Sequence, residues 1–143
     1  MIEIQNMLPV PVVNTVTLNT GGTATATSFV VDTHNWQHAA FYIFTGTMAA
    51  SSNISVCKIT ESATSGGSYT DIAGAALADG ALDASTDNAT AAIFVAATAA
   101  RQRYMKIVIT TDAAADAPVT AIAVLSRGAP VELPPTLTAT AYA

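Results

Sequence analysis

Eight short runs of apolar and β-branched residues, bounded for the most part by Gly, Pro, Asn, Asp or Ser, limit what this chain can become. They are Val12 to Leu18, Thr27 to Val31, Ala39 to Thr45, Ile54 to Ser62, Tyr69 to Ile72, Thr90 to Ala96, Tyr104 to Thr111 and Val119 to Ser126. Short strands with turn signals between them point to a sandwich or barrel. In the last run, Val119, Ala121, Ala123 and Leu125 fall on one face, Ile122 and Val124 on the other. Apolar residues on both faces call for cover on both sides, by a second sheet or by a neighbouring subunit. Open edges on so apolar a sheet would aggregate. The expectation is one all-β domain, an antiparallel, jelly-roll-like β-sandwich of about eight strands.

Ala73 to Asp87 is rich in Ala and Leu, yet Gly74 and Gly80 each cost about 1 kcal/mol in a helix interior. It reads as a surface loop with at most one helical turn, and Ala96 to Arg103 has room for another. Both ends read as extended arms, residues 1–11 and 129–143, around a sandwich over 12–128. Pro9 and Pro11 set Met1 to Leu8 apart from the first strand; Pro130, Pro134 and Pro135 bar the tail from helix or central strand. Disordered tails are usually charge-rich, whereas this one carries only Glu132, so it is expected to lie over a partner. The arm residues expected at such contacts are Ile2, Ile4, Met7, Leu8, Val131, Leu133, Leu137 and Tyr142.

Hydrophobic residues make up 51% of the chain and charged residues 10%, against a usual charged share of about 25%. A surface so short of charge implies an assembly, here self-association as a dimer or trimer. The net charge is −5 with five basic residues in all, of which only Arg101, Arg103 and Lys106 lie close together, so nucleic acid is not an expected partner. No run approaches the roughly 18 apolar residues of a membrane span. The N-terminus lacks the basic start and apolar core of a signal peptide, which places the expected site of synthesis and assembly in the cytoplasm.

Signatures of chemistry are scarce. Cys57 is the only cysteine and sits in a strand pattern, as a small core residue does. His34 and His38 have the spacing of a zinc pair but no third ligand in motif spacing. Asp79, Asp83, Asp87, Asp112 and Asp116 lack the spacing of a calcium loop and read as solvated turn carboxylates. There is no G-x-S-x-G elbow and no phosphate-cradling loop beyond the isolated Gly66-Gly67. The expectation is therefore no catalytic site, no cofactor, no metal and no small-molecule substrate, in a protein that is not an enzyme. Trp36, the only tryptophan, either anchors a partner or a sugar or plugs the end of the sandwich.

Three segments together carry a resemblance. Val56-Cys57-Lys58-Ile59-Thr60-Glu61-Ser62 with Gly66-Gly67-Ser68-Tyr69-Thr70-Asp71-Ile72 is similar to a hairpin of small tailed-phage head proteins, with Tyr69 in place of the more usual Trp. Arg101-Gln102-Arg103-Tyr104-Met105-Lys106-Ile107-Val108 resembles their next strand entry, and Ala123-Val124-Leu125-Ser126-Arg127 the strand that closes their domain. The likeness runs from Ile54 to Arg127 in short framework motifs. It implies a bacteriophage capsid decoration, or cement, protein that binds major capsid protein on the outside of the virion. An acidic protein suits that outer face better than the side that meets packaged DNA. A tail or fibre module that binds a receptor or glycan is the alternative.

Overall fold

The structure, a computed structural model, describes residues 6–18, 24–26, 28–111, 116–127 and 139–142. Ten strands follow in order: β1 (Met7–Leu18), β2 (Ala24–Thr25), β3 (Val31–Asp32), β4 (His38–Thr45), β5 (Ile54–Ser62), β6 (Thr70–Ala76), β7 (Thr90–Ala96), β8 (Tyr104–Thr111), β9 (Ala117–Ser126) and β10 (Ala139–Tyr142). The first sheet runs β1-β9-β4-β7-β10; the second runs β2-β8-β5-β6, with β3 also on β8. The pairs nest. β1 joins β9, β2 and β3 join β8, β4 joins β7, and β5 joins β6. This is one long hairpin rolled up on itself, a jelly roll, and all its ladders are antiparallel except β10 on β7.

Strict alternation builds the core. β8 and β9 bury every second residue, so Met105, Ile107 and Ile109 meet Val119, Ala121, Ala123 and Leu125 across the sandwich, with Phe41, Ile43, Ile59 and Ile93. A register slip of one residue would turn this set outward, so burial fixes the pairing. Cys57 lies in the same core, where burial pushes its thiol up to about 12.

Four sequence expectations need correction. Residues 7–11 are not an arm. They are the first half of β1, from Met7 opposite Ser126 to Pro11 opposite Ile122. β1 is an edge strand, and Pro9 and Pro11 share one parity, so both nitrogens can face away from β9 without breaking the ladder. Ala139–Tyr142, expected in the tail, forms edge strand β10 beyond its prolines. Ala73–Ala76 extends β6 through a bulge at Gly74 (φ 83), and buried Ala75, Leu77 and Leu82 make the following stretch part of the core. Its one helical turn is 3-10, Ala84–Thr86, capped by Asp83. Last, the Thr27 to Val31 run is mostly not a strand: residues 28–30 pass β1 through one bond, Phe29 N–H to the Val12 carbonyl at 2.8 Å, before β3 begins.

Charge is divided unequally between the sheets. None of β1, β4, β7, β9 and β10 contains an Asp, Glu, Lys or Arg, whereas the second sheet holds Asp32, Lys58, Glu61, Asp71 and Lys106.

Candidate functional site

The outer face of the first sheet is a continuous uncharged surface. Register sets its rows: Pro9, Val124, Ala40 and Phe94 lie across one, Pro11, Ile122, Tyr42 and Ala92 across the next. Phe44 follows, 36% exposed, beside Thr120 and Thr90. Ala40, Tyr42, Ile122 and Val124 are half-buried on the flat of the sheet. Tyr42 meets Phe94 edge to face, centroids 6.1 Å apart. Polar contacts on this face centre on Thr120, whose hydroxyl pairs with that of Thr15 at 3.0 Å and donates to the Val13 carbonyl at 3.3 Å. Among the described residues, four of the five exposed large apolar side chains, Met7, Leu8, Val16 and Phe44, belong to this sheet, and Met7 and Phe44 share its outward parity.

Charges flank the face at its two ends with opposite sign. β7 and β9 both run from one end of the roll to the other. Asp87 and Asp116 precede them, Arg101 and Arg127 follow them. The acidic end also gathers Asp79 and Asp83, with no Lys or Arg among the described residues of its loops. Asp83 is held below the usual carboxylate range by the Ser85 hydroxyl and backbone N–H. At the basic end, Arg103 clamps Asp32 with two bonds of 2.8 and 2.6 Å, which lowers the Asp32 carboxyl to about 2. Glu61 is buried there, accepting the Gln102 N–H at 2.9 Å and facing Arg101 at 3.6 Å. Arg127 stands over the Trp36 ring at 4.8 Å and donates to the Asn35 carbonyl at 3.1 Å.

Trp36 is half-buried against the core at this end. Beside it opens a hollow of about 270 Å³, between the loop Thr33 to Trp36 and the turn Ala97 to Arg103. His34 is on its wall, while His38 opens β4 on the outer face. Among the described residues no three His, Cys, Asp or Glu side chains converge as a metal site would require.

Of the expected contact residues, Met7 and Leu8 are exposed at the start of β1, 38% and 44%. Tyr142 lies in β10. Ile2, Ile4, Val131, Leu133 and Leu137 fall outside the described residues. Ala40, Tyr42 and Phe44 were not singled out from sequence, although a signal existed: β4, like β9, is apolar at both parities and uncharged throughout. Among the described residues no helix is long and apolar enough to cross a membrane. Compared with protein-family models and with curated protein sequences, the chain matches none, so its likeness to phage head proteins rests on the short motifs alone.

Proposed function

We propose that this protein is a structural subunit of a bacteriophage virion, a jelly roll that binds the outside of the capsid shell and cements neighbouring major capsid subunits. The observation that carries the reading is an uncharged outer surface on the first sheet that the subunit leaves uncovered, as a subunit of an assembly would, with exposed Met7 and Leu8 at the sheet's edge for the shell contact. A face of this kind favours leaving water at about 25 cal/mol per Å² of apolar surface covered, which suits a protein whose work is contact. Self-association then multiplies the hold on the shell, because each subunit of an oligomer engages its own capsomer. Net charge −5 fits a place away from packaged DNA.

Purified protein added to bare expanded heads should co-sediment and appear at regular positions on the shell in electron micrographs. Heads that stay bare at micromolar protein would overturn the reading. The hollow beside Trp36 favours a second one, a tail or fibre module that binds a glycan. Arg127 already stands over the indole ring, which leaves less of that ring as a sugar platform. Millimolar glycan binding lost in Trp36→Ala, with bare heads undecorated, would put this reading first.

A further inference from the structure

We infer that the outer face of the first sheet is the interface of a two-fold dimer of this chain, with the two sheets stacked face to face and their strands antiparallel. The inference deepens the assembly reading and rests on it only for the claim that this face is covered.

Three observations select a second copy as the cover. The first is the absence of charge: no Asp, Glu, Lys or Arg occurs on any strand of this sheet. A charged partner would bury its ions unpaired there, whereas the same face of another copy brings none. The second is size. The eight residues of β4 rise about 27 Å and the five strands cover about 24 Å. The flat area of about 650 Å², before side chains add relief, is close to the roughly 800 Å² each partner contributes to a standard interface. Large and small residues alternate across it, Tyr42 and Ile122 beside Ala40 and Ala92, so the surface can mesh with its own image.

The third observation is the pattern of flanking charge, and it selects the orientation. Arg101 is engaged with Glu61 of the second sheet, so Arg127 is the cation that matters here: a two-fold axis along the strands would set it over its own copy, and Asp87 and Asp116 over theirs. An axis in the plane of the face but across the strands sets each copy's arginine end over the partner's aspartate end. Like charges directly opposed are unfavourable and opposite charges steer association, so the antiparallel stack is the one that closes. It is isologous, hence self-limiting at two, and stacked sheets about 10 Å apart are an ordinary packing for strands of this length.

Sedimentation velocity on the full chain tests this. The wild type should run as a dimer at 10 µM. Ile122→Lys places an ion at the centre of the face and should weaken dimerisation at least 100-fold, with the circular dichroism spectrum unchanged and a melting midpoint that no longer depends on protein concentration. Arg127→Glu should weaken it about 3- to 10-fold at low salt and little at 0.5 M NaCl, and adding Asp116→Lys should recover most of the loss. A wild-type monomer, a trimer, or an Ile122→Lys variant that still dimerises would overturn the inference; Tyr42→Glu, on the neighbouring strand, repeats the test should Ile122→Lys misfold. A dimer that leaves heads bare would sink the capsid reading alone, and a monomer that decorates them would sink this one alone.

Discussion

The two outer faces of this sandwich differ more than its two sheets do. On the second sheet, Lys58 meets Asp71 at 2.7 Å, Lys106 stands over Tyr69 at 4.4 Å, and Thr25 and Thr110 share a hydroxyl bond of 2.9 Å. That face is built for water, with each polar group paired or solvated. The first sheet presents mostly proline, valine, alanine, isoleucine and aromatic residues in the same outward positions, with Thr15, Thr90, Thr120 and His38 as uncharged polar members. Both inner faces meet in one core, so the difference has no use within a lone subunit. The apolar outer face is therefore what the proposed assembly rests on.

The contrast can be broken most strongly by comparing adjacent residues of one strand. Ile43 is fully buried and Tyr42, next to it, points outward. Ile43→Ala should cost about 2–5 kcal/mol. Tyr42→Ser, measured on protein held monomeric by Ile122→Lys, should cost about 1 kcal/mol or less. Urea melts of the pair read the difference directly; equal losses would mean that the outer face serves the fold after all.

A smaller effect is expected where the second sheet ends. Arg101→Ala removes the guanidinium from buried Glu61 and leaves the carboxylate with the Gln102 N–H. The loss should be about 1–3 kcal/mol, the range for a buried polar group deprived of a partner. Adding Glu61→Gln should restore part of it, since a neutral amide tolerates burial better. Denaturant melts that show no cost for Arg101→Ala would mean that water reaches this carboxylate freely.

The smallest effect belongs to the exposed Asp32–Arg103 clamp, whose side chains are 44% and 47% exposed. Surface pairs of this kind contribute about 1 kcal/mol or less. Because the folded state depresses the Asp32 carboxyl to about 2, its contribution is complete above the ordinary carboxylate value and is lost as pH falls towards 2. Asp32→Asn should therefore be slightly less stable than wild type at pH 7, with the gap closing between pH 4 and pH 2. A gap that persists unchanged at pH 2 would mean that the side chain acts by packing rather than by charge.

Local pattern alone carried most of the strands. The bounds read for Ile54–Ser62, Thr90–Ala96 and Tyr104–Thr111 are those of β5, β7 and β8, because period-two burial is written in consecutive residues and needs no knowledge of neighbours. The all-β sandwich followed from the same residues, since strands apolar at alternate positions must bury that face against a second sheet. Tertiary structure decided what depends on partners distant in sequence. Proline in β1 is acceptable only because that strand lies at an edge, a fact set by β9, more than a hundred residues on. Ala73–Ala76 is strand because β5 offers it a ladder, which no local propensity reveals. The opposed charges of Asp87 and Asp116, Arg101 and Arg127 acquire a direction only when β7 and β9 run the same way in one sheet. Sequence determined which residues avoid water; the roll determined which of them the subunit covers itself and which stay on its outer face, because register sets the face of every residue in a strand.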